Sequence, residues 1–256
     1  MTTSPFFQRL ELLVGGQAAA ALGNSRVIVF GLGGVGSWCA EALVRSGVGQ
    51  ITLVDSDTIC PSNINRQIQA SSSSIGRLKT AVLEERLKDI NPSCRITSFA
   101  QVFSRETAAL FDISGADYII DAIDSLAHKL DLIETSVASG VRFFSSMGMA
   151  QKLDPTLIRT ADIWKTSGCP LARLVRQGLR KRGFRAPFTA VYSPERIPLR
   201  NPPETASPLP EQDEDTPRGM WDAGKKVING TAVTVTAAAG LVLASLVIKD
   251  ICKQYE

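Results

Sequence analysis

Short apolar strands alternate with helical patterns along this chain. That alternation predicts an α/β fold: a doubly wound, mostly parallel sheet with a strand and helix extension toward the C-terminus. Three observations carry the prediction. The β-branched run 27–30 is too short for a helix and leads into Gly31-Leu-Gly33-Gly34-Val-Gly36. A helical pattern over 37–46 follows, then a second apolar strand, 51–54, that stops at Asp55. The same rhythm recurs as far as residue 145, which implies right-handed crossovers between parallel strands. Strand, glycine turn, helix, strand and acid together make a Rossmann-like unit.

The elements follow in order. Residues 6–23 read as a helix, with Leu10, Leu13 and Val14 at helical spacing and Gly23-Asn24 as the stop. After the glycine unit, Cys60-Pro61-Ser62-Asn63 is a turn that opens a polar segment through Arg66 and Gln67. Ser74 is expected to cap a helix over 75–90, closed by Asn91-Pro92. Residues 95–99 read as a strand, 105–111 as a short helix, and 118–121 as an apolar strand. Residues 126–139 are helical and 141–145 form the next strand. Beyond Pro155 the chain changes character. Residues 157–163 suit a strand, 171–182 a basic helix and 191–199 an extended segment. The proline-rich, acidic stretch 200–224 suits a flexible surface loop. Residues 227–236 alternate as a strand would, and 237–251 form an apolar helix. The chain is read as one domain, with a nucleotide-binding core over 1–154 and an extension over 155–256 that carries the basic region 171–185.

Composition narrows the classes. A length of 256 residues with 44% apolar content supports a full core. A net charge of +3 is too small to argue for nucleic acid by itself. Five scattered cysteines without a CxxC pair argue against a disulfide scaffold or a zinc site and fit a reducing, cytoplasmic setting. The N-terminus has no signal-peptide pattern. The run 227–248 is long enough to span a bilayer, but Asn229, Gly230, threonines and Ser245 interrupt it. A buried strand and core helix is the preferred reading, and a peripheral membrane contact the less favoured one.

The glycines define a nucleotide site. Gly31 permits the tight turn, Gly33 lets a phosphate approach the backbone, and Gly36 lets the helix pack close to the strand. The helix N-terminus offers N–H groups to an anion. Asp55 stands where an acid accepts hydrogen bonds from ribose hydroxyls. The nucleotide-binding set is Gly31, Gly33, Gly34, Gly36, Asp55, Asp57, Asn63, Arg66, Gln67 and Lys79, although Asp57 and Asp121 read equally well as turn or cap residues. Arg66 and Lys79 would neutralise developing phosphate charge, and Asp124 suits Mg²⁺, which takes few carboxylates plus phosphate oxygens. Such equipment fits attack at a nucleotide phosphate, whereas a nicotinamide-dependent hydride transfer would not need it. A binding scaffold without turnover is a third class. Each single Arg or Lys has the surface-charge alternative.

GLGGVGSWCAEALVRSGVG, LVDSDTICPSNINRQ, GRLKTAVLEERLKDINP and IIDAIDS resemble the ubiquitin-activating-type (ThiF/MoeB-like) adenylating enzymes. RLELLVG, SSMG, KLDPTLIRTADIWKT, PLARLVRQGLRKRG and LVIKDI resemble the tRNA threonylcarbamoyladenosine dehydratase branch of that family. The resemblance covers most of the chain. It implies ATP and Mg²⁺, with Asp55 on the ribose, Asn63, Arg66 and Lys79 on the phosphates, and Asp124 on the metal. Arg9 looks like the arginine supplied to the other protomer's ATP, which implies a homodimer. A monovalent cation, Na⁺ or K⁺, is left open. The implied reaction adenylates the carboxylate of the threonylcarbamoyl group at A37 of tRNA, and ring closure then expels AMP with net loss of water. The alternative within the family is an adenylyltransferase for a ubiquitin-like sulfur carrier; such relatives often hold zinc with paired CxxC motifs, absent here.

Arg173, Arg176, Arg180, Lys181, Arg182 and Arg185 form a run without an acid, with Arg173, Arg176 and Arg180 on one helix face. That stripe suits a tRNA backbone, and a solvated helix face is its bland alternative. Phe184, Phe188 and Tyr192 fit core packing better than base stacking. The chain departs from the branch at Cys169, where relatives often have Asp, and at Met149-Ala150-Gln151, where they often have a second glycine. It departs again at Ala190, where some relatives have a cysteine linked to a sulfur-transfer partner; no such link is expected here.

Overall fold

The structure, a computed structural model, describes residues 4–196 and 230–255. Seven strands form one sheet: β1 (Arg26–Phe30), β2 (Gln50–Val54), β3 (Arg95–Phe99), β4 (Tyr118–Asp121), β5 (Arg142–Ser146), β6 (Arg159–Asp162) and β7 (Thr189–Tyr192). Their order is β3-β2-β1-β4-β5-β7-β6, parallel except for the edge pair β6–β7. The two strands beyond residue 155 thus extend the same sheet. Successive residues of β1 serve opposite faces. Val27 and Val29 join a core with helices α2 (Gly16–Asn24), α3 (Gly36–Arg45), α4 (Lys79–Ile90) and α7 (Val233–Cys252), whereas Ile28 and Phe30 join a core with α5 (Leu126–Ala138) and α6 (Pro170–Lys181).

Several boundaries differ from those read in the sequence. The helix over 6–23 is two, α1 (Gln8–Val14) and α2, because Gly15 adopts φ 83° between them. The helix placed at 75–90 starts at Lys79: Gly76 adopts φ 81°, and the Ser74 hydroxyl closes a 3-10 turn instead of capping the helix. Residues 105–111 contain only the 3-10 turn Ala108–Phe111. Residues 155–157 form a 3-10 turn before β6 begins at Arg159. Val233–Thr236, expected in a strand, form the first turn of α7. Val235, Ala239, Leu243, Val247 and Ile251 make a buried stripe at helical spacing, and burying that stripe outweighs the local Val/Thr alternation. The loop 200–224, the end of the segment 191–199 and residues 227–229 lie outside the described residues.

Helix α7 is long and apolar enough to cross a membrane by length and composition, with 44% of its most apolar window buried in the protein. It packs along α3. A Cβ on Gly240 would lie 2.4 Å from the Val35 carbonyl oxygen and 2.9 Å from the Trp38 Cβ. Its C-terminal turn is tied to the sheet by Asp250, which accepts from the Tyr118 hydroxyl at 2.7 Å and from Arg142. Gly240→Ala should therefore overpack the α3–α7 contact and cost about 1–3 kcal/mol. A Tm unchanged in thermal melts would detach α7 from the core.

Candidate active site

The strand order reverses between β1 and β4, so the loops after these strands diverge and open a crevice at the sheet's C-terminal edge. The glycine turn stands there. Gly31 adopts φ 86°, and a Cβ on it would lie 2.8 Å from the Ala122 carbonyl oxygen. At Gly36 a Cβ would lie 1.8 Å from the Gly31 oxygen, so α3 starts directly against the turn. Gly33 is different: a Cβ there would meet nothing within 4 Å. The turn is therefore closed underneath and open above. Val35 gives the N-terminus of α3 no side-chain cap; the Ser37 N–H is spent on the Gly33 carbonyl at 3.2 Å, and the remaining first-turn N–H groups suit an anion. The Arg66 side chain packs over Gly34, where a Cβ would lie 3.1 Å from the Arg66 Cγ.

Asp55 directly follows β2 and is 4% exposed. One carboxylate oxygen accepts from the Leu32 N–H at 2.6 Å and the other from the Asp57 N–H at 2.9 Å. These bonds fix the acid against the glycine turn and leave it lone pairs to accept hydroxyls. Lys79, the first residue of α4, is 6% exposed. Its ammonium donates to Asp57 at 2.7 Å and stands 3.7 Å from Asp55. Burial works against this charge, but the carboxylates of Asp55, Asp57 and Asp124 outweigh it and lift the Lys79 pKa above the ordinary lysine value. Asp57, left between turn and site by the sequence, is thus a direct partner of the lysine.

The crossover segment between β2 and α4 is held onto the turn. The Trp38 indole donates to the Arg66 carbonyl at 3.0 Å, and the Gln69 amide to the Leu32 carbonyl at 2.8 Å. Buried Asn63 accepts from the Cys60 N–H at 3.2 Å, and the Arg66 guanidinium donates to the Ser62 carbonyl at 2.7 Å. Gln67 is buried beside Gln69.

A second cluster lies beneath the crevice; in the sequence Asp121 reads equally well as a turn or cap residue, and Lys129 and Ser145 were not singled out. Lys129 and Asp121 are both fully buried and 2.8 Å apart. Ser145 on β5 donates to Asp121 at 2.6 Å, and Lys129 donates to the Ile123 carbonyl at 2.8 Å. A signal existed: Leu126, Lys129, Leu130 and Ile133 share one helix stripe, so a charge falls on the apolar face.

Other candidates fall elsewhere. Arg9 is exposed on α1, whose preceding Phe7 ring packs 3.4 Å from a Cβ on Gly47, where β2 begins. That is the sheet edge opposite the glycine turn, so the chain does not bring Arg9 to its own site. The basic helix is not a uniform stripe. Arg176 is half-buried and donates to Thr166. Arg180 lies over the Trp164 ring, 5.4 Å from its centroid. Arg182 pairs with Asp131 at 2.7 Å and Glu134 at 2.9 Å, so α5 supplies the acids that the local sequence lacks. Arg185 donates to the Phe184 carbonyl at 2.8 Å and is exposed, as are Arg173 and Lys181. Phe188 and Tyr192 are buried in the core, and Phe184 packs against it.

The sequence matches the ThiF family over residues 7–255. The chain belongs to this family. A Bacillus subtilis tRNA threonylcarbamoyladenosine dehydratase is 37% identical over 254 residues, covering 98% of this chain and 96% of the relative. The crystal structure of the Escherichia coli tRNA N6-threonylcarbamoyladenosine dehydratase TcdA in complex with ATP superposes with a TM-score of 0.83 at 31% identity, covering 100% of this chain and 98% of that one. The same enzyme in complex with AMP gives 0.85 at 31% identity, covering 100% and 99%. The α/β fold expected from the strand–helix alternation is thus that of the TcdA structures.

Among the described residues no group of three or more His, Cys, Asp or Glu could hold a metal ion. The exposed Asp124 beside Lys79 is instead a single carboxylate, which suits an ion that takes most of its ligands from phosphates and water. An open glycine turn, an uncapped helix and a buried ammonium at one crevice suit a triphosphate. Lys79→Met should leave three carboxylates without their cation. Up to about 3–5 kcal/mol of stability should be lost near neutral pH. The gap from wild type should hold up to the ordinary lysine pKa and narrow as the pH rises through the raised Lys79 pKa and the ammonium is lost, as urea melts across pH would record. A pH-independent gap would mean that Lys79 serves packing alone.

Proposed function

We propose that this protein uses ATP to adenylate the threonylcarbamoyl carboxylate of N6-threonylcarbamoyladenosine at position 37 of tRNA and dehydrates it by ring closure. The observation that carries the reading is the near full-length match to a ThiF-family dehydratase of that substrate. A carboxylate oxygen would attack the α-phosphorus and release pyrophosphate, giving an acyl adenylate. An internal nucleophile of the modification would then attack the acyl carbon. AMP leaves with the former carboxylate oxygen, so the nucleoside loses one water. The tethered nucleophile gains from proximity, and no covalent cysteine is needed.

In this reading the Gly31–Gly36 turn and α3 receive the phosphates, Asp55 accepts from the ribose, and Asn63, Arg66 and Gln67 line the phosphate path. Lys79, held protonated by Asp55 and Asp57, stabilises charge developing at the α-phosphate. Asp124 would hold Mg²⁺, which would offset charge on the phosphate oxygens. Arg9 acts on the ATP of a second copy. Support for a homodimer comes from α1 and the turn before it, where Phe6, Leu12 and Leu13 are 67%, 82% and 80% exposed. The tRNA backbone would meet Arg173, Arg180, Lys181 and Arg185, with Arg176 already engaged by Thr166 and Arg182 by Asp131 and Glu134. The chain is read as a single adenylating domain of the cytoplasm, in keeping with five cysteines and no disulfide among the described residues.

Nucleoside mass spectrometry after incubation with ATP, Mg²⁺ and threonylcarbamoyladenosine-bearing tRNA should record the loss of one water, dependent on ATP. No mass change, with AMP and pyrophosphate formed only when a ubiquitin-like carrier is added, would move the assignment to sulfur-carrier activation. Arg9→Ala should lose turnover, and mixing it with Lys79→Met should restore part of it through hybrid dimers; absence of rescue would place Arg9 outside the partner's site. Replacing Arg173, Arg180 and Lys181 by Gln should flatten the salt dependence of tRNA binding by about one unit of slope for each phosphate left unpaired. An unchanged slope would return this face to solvent.

A further inference from the structure

The buried Asp121–Lys129–Ser145 cluster has no role in the chemistry above, yet it is costly to build. A fully buried ion pair rarely stabilises a fold better than apolar residues of the same volume; replacing one is often neutral or stabilising by about 1–4 kcal/mol. Folding alone therefore does not account for an ammonium and a carboxylate at zero exposure under the central strands.

What the cluster holds is the loop after β4. Asp121 is the last residue of that strand, and one of its oxygens accepts from the Ile123 N–H at 3.0 Å. The other takes Lys129 at 2.8 Å and Ser145 at 2.6 Å. Lys129 then donates to the Ile123 carbonyl at 2.8 Å. Both backbone polar groups of Ile123 are thus bonded from below, and Asp124 is the next residue. One side chain of the cluster comes from the strand before Asp124 and another from the helix after it, so the backbone leading into Asp124 is held from both sides. The neighbouring Ala122 is the surface against which Gly31 and Gly36 close.

We propose that Lys129 is a positioning residue, clamped between Asp121 and the Ile123 carbonyl, that fixes where the Asp124 carboxylate meets Mg²⁺-bound ATP. The inference rests on the reading of Asp124 as the metal-binding carboxylate. Asp121 anchors the ammonium, and Ser145 prevents the Asp121 carboxylate from rotating away.

The test is calorimetric titration of the full chain with ATP, in EDTA and in Mg²⁺. The variant is the charge-neutral pair Lys129→Met/Asp121→Asn, which avoids a lone buried charge. The Mg²⁺-linked gain in ATP affinity should fall by about tenfold, the lower end of what removing a partner behind a metal ligand costs, while metal-free ATP affinity holds. Equal losses with and without Mg²⁺ would make the cluster purely structural and overturn the inference, as would a gain kept in full. Absence of a Mg²⁺-linked gain in the wild type would instead overturn the metal assignment of Asp124. If the double variant does not fold, Ser145→Ala decides, because it leaves the ion pair intact. A smaller loss of the Mg²⁺-linked gain supports the inference, and no loss overturns it.

Discussion

The site depends on one close approach. The backbone after β1 and the backbone after β4 meet with no room for a side chain between them: a Cβ on Gly31 would stand 2.8 Å from the Ala122 oxygen, and one on Gly36 would strike Gly31 itself. This contact sits at the point where the strand order reverses, so it sets the floor of the crevice. Helix α3 then points its N-terminus over that floor. Asp55 reaches across from β2 to the Leu32 N–H and locks the turn to the next strand. Remove the close approach and neither the helix dipole nor the acid faces the place where phosphates would lie.

Charge is arranged around this floor in two layers. The upper layer, Asp55, Asp57, Lys79 and Asp124, is excess acid around one ammonium. Acids outnumber the cation, so Lys79 stays protonated despite burial. The lower layer, Asp121 and Lys129, is balanced and dry. Balanced charge in a dry place resists rearrangement, because each partner left alone would be a desolvated ion.

Much of this could be read from the residues. The strands 27–30, 51–54, 95–99 and 118–121 are short apolar runs with clear stops, and tertiary packing left them where local pattern put them. The glycine turn was legible because Gly31 and Gly36 leave no room for a side chain, and Asp55 because it stops an apolar strand. The failures have physical causes. Gly15 and Gly76 break helices through positive φ, which apolar spacing does not register. Val233–Thr236 alternates like a strand, but a buried stripe along the whole of α7 decides the matter at longer range. Arg182 of the basic run looked free because its partner acids, Asp131 and Glu134, sit on another helix.

The extension is not an appendage to the nucleotide core. β7 pairs with β5 and β6 with β7, so the residues beyond 155 complete the sheet on the side away from β2 and β3. Lys152 donates to the Glu195 carbonyl at 2.7 Å, and the Glu195 carboxylate accepts from the N–H groups of Leu153 and Asp154 at 3.0 Å. Burial lowers the Lys152 pKa, and the cost of that desolvation is accepted where two loops cross at the C-terminal ends of β5 and β7. Gln151, next to it, carries φ 56°, a conformation that favours glycine, and its N–H donates to the Gly230 carbonyl at 2.8 Å. A left-handed glutamine and a desolvated lysine in consecutive positions mark a junction held by tertiary contacts rather than by local preference. The junction joins the segment after β5 to the start of the α7 region, so the nucleotide core and the extension are built as one body around the crevice.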